Sequence, residues 1–187
     1  DFATYALVVA ELGRHCGATA LSFNMHASAC MGAGFIADGL DMTTLQRSDH
    51  EQHRRLHFDQ VVQHGKLFAQ PFSEGGAAAA GKTAWSTQAH KVPGGYRVNG
   101  RKIFASLSGA ADFYGVLCTL DRPGATLSDT LYLAIPADAP GLEIAGDWDP
   151  LGMRGTVSRN LAFKHVFVSD DEQLMPRGIY FKGAQTW

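Results

Sequence analysis

TAWSTQAHKVPGGYRVNGRKIFAS, residues 83–106, decides the fold. Its first ten residues intersperse polar and apolar side chains and are read as a half-buried strand. Pro93-Gly94-Gly95 then turns the chain. Asn99-Gly100 stands between two strand-like arms, YRV and RKIFAS, and such a step is the strongest short-range hairpin signal. Downstream, FYGVLCTL (113–120), TLYLAIP (130–136) and RNLAFKHVFV (159–168) read as further strands separated by Gly, Pro and Asp. The period-two pattern predicts a mostly antiparallel β-domain over 67–170, a sandwich or small barrel.

Upstream the period changes. Residues 1–66 read as helical: Phe2, Leu7, Val8 and Leu12 keep one face, and Gly13 or Gly17 breaks the run. Ser48-Asp49-His50-Glu51 has the form of a capping box. The helix it opens carries Leu56, Val61 and Val62 on one side and charge on the other, and ends at Gly65. His50, His53 and His57 share a face of that helix, and Arg54 and Arg55 beside them predict that this face is solvated. Between Cys16 and Ala37 there is no charged residue apart from His26. Small residues and Ser22, Asn24 and Ser28 make the stretch a buried core helix rather than a membrane span, which needs about 20 mainly apolar residues. The fold class is therefore α+β, helices first and a barrel-like β-domain second. After Val168 the chain turns polar at SDDEQ, and a helix is expected to restart near Gly178, within 171–187.

Bulk properties limit the function. The chain has 187 residues, 45% hydrophobic and 18% charged, with a formal net charge of −2. That suits a soluble globular protein and offers neither a basic footprint for nucleic acid nor a polybasic membrane patch. Cys16, Cys30 and Cys118 form no CxxC pair, which predicts reduced thiols and a cytoplasmic protein. No leader is visible at Asp1, and the chain reads as part of a longer protein. No metal site is expected.

Two motifs look like nucleotide sites and fail on context. Gly76-x-x-x-x-Gly81-Lys82-Thr83 matches a P-loop letter for letter. It lacks the buried strand before it and the phosphate-binding helix after it. Gly32-Ala33-Gly34-Phe35-Ile36-Ala37 matches a dinucleotide fingerprint but follows a helical stretch, so close helix packing is the better reading. Two strand ends, Phe72-Ser73-Glu74 and Phe104-Ala105-Ser106, each pair an aromatic with a hydroxyl, as a flavin ring would require. An aromatic on a strand is more often core than cofactor wall.

FSEGG (72–76), YRVNGRKIFASLSGAAD (96–112), APGLEI (139–144), LGMRGTVS (151–158) and LAFKHVFVSDDEQL (161–174) follow one another in an order that resembles the acyl-CoA dehydrogenase family, the FAD-dependent dehydrogenase/oxidase superfamily. The resemblance covers nearly the whole chain. It implies FAD bound between the middle β-domain and C-terminal helices. Phe72 would offer a backbone amide and Ser73 a hydroxyl to the flavin pyrimidine edge. Phe104 takes the usual tryptophan position against the ring, and Ser106 supplies the hydroxyl near N5. Asn24 and His26 match the helix lining the acyl pocket. The implied reaction is α,β-dehydrogenation of an acyl-CoA thioester with hydride transfer to flavin. An electron-transfer flavoprotein or another acceptor and a homodimer or homotetramer follow from it. The family's catalytic glutamate comes from the C-terminal domain, so no catalytic residue is assigned within these residues, and neither Glu74 nor Glu143 takes that role. Glu74 is read as part of the turn, and Arg154 as pinning the loop between domains. One departure stands out: Gly75, Gly76 and four alanines replace the family's P-x-A-G-S-D, whose serine helps hold CoA. That points to a second reading, a flavin-dependent monooxygenase of the same fold. A third is a flavin-free structural subunit.

Overall fold

A computed structural model describes residues 1–75 and 83–184 of the chain. The P-loop match from Gly76 to Lys82 lies outside the described residues. Among the described residues three α-helices come first: α1 (Phe2–His15), α2 (Gly17–Met31) and α3 (Thr44–Val62). Eight strands follow: β1 (Phe68–Ala69), β2 (Gln88–Val92), β3 (Gly95–Ala105), β4 (Phe113–Leu120), β5 (Thr130–Pro136), β6 (Leu142–Ala145), β7 (Arg159–Ser169) and β8 (Gln173–Met175). A short helix α4 (Ile179–Ala184) comes last. The strands form one mixed, mostly antiparallel sheet in the order β6-β7-β3-β2-β4-β5-β8, with β1 added parallel to β4. The α+β class and the helix-then-strand order expected from the sequence are present.

The hairpin is not where Asn99-Gly100 suggests. β3 runs unbroken through that step, and the chain reverses at Pro93-Gly94, where Val92 faces Gly95. Proline fixes φ at one turn position and Gly94 takes φ +76° at the next, the requirement of a tight turn. Asn99-Gly100 instead makes a bulge against β7, where the register shifts between Val98 and Gly100. Asn99 Oδ1 accepts the His165 amide at 2.9 Å, and His165 itself sits at φ +52°. Gly100 has φ +146°, and a Cβ there would lie 2.6 Å from Thr87 Cα. Close approach between neighbouring strands, not a turn, requires this glycine.

β4 and β5 are apolar on both faces because both are covered. Val116, Leu131, Leu133 and Ile135 join Val98, Leu161, Phe163 and Val166 in one core, so the sheet curls until β5 and β7 share an interior. On the other face Leu117 and Tyr132 meet Ala29, Ala37, Leu40 and Ile179 of the helical layer. Asp112 ties that junction, accepting from Lys66 Nζ at 2.8 Å and from the Leu67 amide at 2.9 Å.

α3 departs from expectation twice. It starts a turn earlier than Ser48: Thr43 and Gln46 form the capping box, leaving Ser48 inside the helix. Its faces are also reversed. His50, His53 and His57 are buried at 0%, 8% and 4% exposure, whereas Leu56 and Val62 are 44% and 73% exposed. The spacing i, i+3, i+7 places all three rings on the face that meets the sheet edge and the small-residue stretch. There His57 packs edge-on against Phe68, 4.3 Å between centroids. The arginines stay on the polar side, with Arg54 bound to Asp38 and Glu51 at 2.6 Å each. The fingerprint-like Gly32–Ile36 is a wide helical turn kinked at Gly34, and a Cβ at Gly34 would meet the Phe58 ring at 3.3 Å. Helix packing accounts for it. No helix among the described residues is long and apolar enough to cross a membrane.

Candidate functional site

The end of β3 is strained and exposed. Phe104 holds φ +55° and Leu107 φ +65°, a region that L-residues with bulky side chains avoid. Facing them, the loop after β6 holds two more such residues, Met153 at φ +59° and Val157 at φ +44°. Two hydrogen bonds join the segments: the Leu107 amide donates to the Thr156 carbonyl at 2.9 Å, and the Ser108 amide to the Val157 carbonyl at 3.2 Å. Conformations of this kind persist where surrounding contacts over-determine them, and they gather at functional sites.

The side chains at this corner divide by polarity. Phe104 projects outward at 60% exposure, with Trp148 edge-on at 6.3 Å, and Leu151, Met153 and Val157 lie exposed in the facing loop. Beneath them the hydroxyls run in a chain. Ser106 Oγ meets Ser158 Oγ at 2.8 Å, Ser158 meets Thr156 Oγ1 at 2.7 Å, and Thr156 donates to the Met153 carbonyl at 2.9 Å. Ser106 is buried and its hydroxyl is already partnered. The sequence reading singled out Phe104 and Ser106 but missed Thr156, Ser158 and Trp148. The alternating hydroxyls of GTVS, inside an otherwise glycine-rich turn, were the available signal.

The other predicted strand end lies alongside. The Ile103 amide donates to the Ser73 carbonyl at 2.8 Å, so residues 72–74 run against β3 just before Phe104. The Phe72 amide is turned inward to the Gln70 carbonyl at 3.1 Å, and the Phe72 ring packs edge-on against Tyr132 and Tyr180. Among the described residues, neither the amide nor the hydroxyl of half-buried Ser73 has a partner. Glu74 is fully engaged. Its carboxylate accepts from Lys102 Nζ at 2.6 Å, from the Ser86 amide and hydroxyl at 2.7 and 2.8 Å, and from the Thr87 amide at 2.9 Å. Lys102 also lies 4.4 Å from the Trp85 ring centroid. Burial works to raise the Glu74 pKa, but Lys102 and the converging donors outweigh it and hold the carboxyl down to about 2. Such a group does not take protons from a substrate; it braces the turn, as its place in the sequence suggests.

Asn24 and His26 lie on α2, whose N-terminal end abuts the strained loop: a Cβ on Gly155 would meet Ala18 at 3.2 Å. Asn24 Oδ1 accepts from the Tyr5 hydroxyl, tying α2 to α1. His26 Nδ1 accepts the Phe68 amide at 3.1 Å, tying α2 to β1. An accepting Nδ1 fixes the neutral tautomer with its proton on Nε2, which faces Cys30 Sγ at 3.9 Å. His26 therefore cannot deprotonate Cys30, and burial lowers its pKa and raises that of the thiol. The structure connects these two residues to other helices and to β1, not to Phe104 or Ser73. Among the described residues no group of three or more His, Cys, Asp or Glu is arranged to hold a metal ion.

A flavin is a fair test for this corner. A largely exposed aromatic, an amide and hydroxyl at Ser73 without partners among the described residues, and a hydroxyl chain beneath the strand end match a ring that is apolar on its face and polar at its edge. The residues present fit.

Comparison with known proteins follows the same corner. The model of the acyl-CoA dehydrogenase middle domain matches residues 72–166, over half of the chain. An amino sugar nitrososynthase, DnmZ from Streptomyces peucetius, is 39% identical over 88 residues, 46% of this chain and 20% of its own. A mitochondrial 2-methylacyl-CoA dehydrogenase from Solanum tuberosum is 24% identical over 174 residues, 93% of this chain and 39% of its own. The structure of TdsC from Paenibacillus sp. A11-2 with FMN and indole is similar at a TM-score of 0.67 and 29% identity, covering 91% of this chain and 39% of that one. The chain thus spans two-fifths or less of the length of these relatives.

Proposed function

The chain belongs to the acyl-CoA dehydrogenase family, a family of flavin-dependent oxidoreductases, and on that premise we propose that the Phe104 corner is its flavin-facing surface. The carrying observation is the meeting of four strained non-glycine residues around an exposed aromatic above buried hydroxyls. Phe104 would lie against the ring, the Ser73 amide and hydroxyl would meet its polar edge, and Ser106, whose proton is given to Ser158, would serve the reacting side as a donor only by leaving that chain. FAD is the form proposed, FMN the alternative. When bound, the flavin supplies the two-electron redox chemistry. The chain's own share is to orient the ring and keep water from one of its faces. The Ser106–Ser158–Thr156 chain fixes which way the Ser106 proton points. Glu74 is spent on Lys102, and Glu143 is paired with Lys164 at 3.0 Å on an exposed strand. The proton-accepting carboxylate is therefore assigned to a part of the full-length protein outside these residues.

Dehydrogenation of an acyl thioester is the first reading, supported by the family and by the 2-methylacyl-CoA dehydrogenase relative that matches nearly all of this chain. Asn24 and His26 would then border the acyl group. Monooxygenation is the second, and a specific observation favours it. The loop that holds CoA in the family is glycine and alanine here, and the nitrososynthase shares more identity over its matched segment than the dehydrogenase does. One experiment separates them. The full-length protein, loaded with FAD, is titrated anaerobically with an acyl-CoA series, then tested with reduced flavin, oxygen and an amino sugar. Bleaching by acyl-CoA supports the first reading. Oxygen-dependent product without bleaching supports the second. Neither outcome, or no flavin bound at all, overturns the proposal.

A further inference from the structure

A helix that only packs would bury leucines; α3 exposes them and buries imidazoles. Two of these, His53 and His57, line a cavity of about 200 Å³ in the seam between α3 and the β8 edge. Both His57 ring nitrogens are without a hydrogen-bond partner among the described residues, and so is His53 Nδ1. The nearest charged group to His53, the Asp49 carboxylate, stands 3.8 Å away, too far for a hydrogen bond. The inner wall is apolar: Phe68 stacks on Phe113 at 4.8 Å, with Ala134 and Leu174 beside them. Asp171 and Glu172 border the cavity, and Leu56 stands at its exposed mouth.

We propose that this seam binds a small neutral aromatic carrying a hydroxyl, a ligand of the phenol class, independently of the flavin site. The chemistry selects it. Two imidazoles offer both an acceptor and a donor to one hydroxyl, which can give its proton to one ring and receive from the other. The Phe68–Phe113 wall takes an aromatic face or edge. Asp171 and Glu172 disfavour an anion, and among the described residues no Lys or Arg lines the cavity to compensate one. A cation would have to leave water for the apolar inner wall, which is costly. The size suits a single substituted ring, since a cavity of about 150 Å³ accepts benzene. A seam between two structural layers is a common place for such pockets. A metal ion is not chosen, because among the described residues no third ligand is arranged with the two imidazoles to hold one.

The test uses the full-length protein labelled with ¹⁵N at histidine, with the ring nitrogens of His53 and His57 followed by NMR during titration with p-cresol, toluene, benzoate and Zn²⁺. Saturable movement of both imidazoles is expected with p-cresol, at a Kd on the order of 1 mM for so few atoms. Toluene should bind about tenfold more weakly, lacking the hydroxyl. Benzoate should leave both rings unmoved. His57→Phe should weaken p-cresol about tenfold, and His57→Gln, which restores a donor and an acceptor, should recover part of the loss. Leu56→Trp changes only the exposed mouth and should close it, which keeps the test decisive should His57→Phe fail to fold. The proposal is overturned if p-cresol leaves both rings unmoved, if Leu56→Trp binds it like wild type, if benzoate or toluene binds equally well, or if Zn²⁺ saturates both rings at micromolar concentration.

Discussion

Val157, a β-branched residue at φ +44°, marks where the corner stores strain. Its side chain is 40% exposed, so little packing repays the conformation. Val157→Gly should therefore raise unfolding stability by about 1 kcal/mol while weakening flavin binding in the full-length protein. Urea unfolding and a flavin titration measure the two effects, and a less stable variant would show that the strain assignment is mistaken. Lys102 is the opposite case. Lys102→Met leaves the Glu74 charge buried with only the Ser86 and Thr87 donors, and should cost roughly 3–5 kcal/mol. The pair replacement Glu74→Gln with Lys102→Met should recover most of that loss. Equal losses in the single and double variants would exclude an unpaired charge as the cause. At this scale the sequence was partly readable. Phe72, Ser73, Phe104 and Ser106 carry their signal in local motifs. Trp148 does not, and for Ser158 the GTVS pattern shows the hydroxyl but not its use, because each matters through a partner far along the chain: Ser158 pairs with Ser106, 52 residues back.

Among the elements, α3 makes stability depend on pH. Burial, with His26 nearby, lowers the His57 pKa from the ordinary 6.5 to about 4. The unfolded chain therefore binds the proton first. Stability contributed by neutral His57 is complete above about pH 6.5, declines as the pH falls toward 4, and is constant below that. The whole change amounts to roughly 3 kcal/mol. His57→Leu should flatten the unfolding profile in that window, and an unchanged profile would place the sensitivity elsewhere. Glu74 acts in a lower window, with its contribution present above about pH 4.5 and lost toward pH 2, where its folded pKa lies. Both strand and helix identities were legible from periodicity, but two assignments failed for a common reason. Asn99-Gly100 has the composition of a turn, yet pairing with β7 on one side and Thr87 on the other keeps it within a strand. His50, His53 and His57 have the composition of a surface, yet the ring of Phe68 on β1 provides a face for His57, and all three are buried. Tertiary neighbours decided both, and no local pattern names those neighbours.

Over the whole molecule, helices and sheet share a core through Leu117, Tyr132 and Phe68, so the two layers should unfold together. Leu117→Ala should destabilise by about 2–4 kcal/mol and lower the helical circular-dichroism and tryptophan-fluorescence midpoints by the same amount. Separate midpoints would mean that the layers are independent. The order of layers was legible from the change of period near residue 66, whereas the sheet order was not. Its β1–β4 and β2–β4 pairings are parallel, and no turn signal specifies a parallel partner. Those pairings have a consequence for a chain made from its N-terminus at about 5–20 residues per second. β1 waits for β4 to be translated, β5 then builds on β4, and β8 is needed before α3 has a wall to lie against. The first helices leave the ribosome several seconds before their partners exist, with histidines toward the missing wall in place of sticky leucines. A solvated imidazole keeps its hydrogen bonds to water during that wait, so a face of histidines should expose less apolar surface than a face of leucines until the wall arrives.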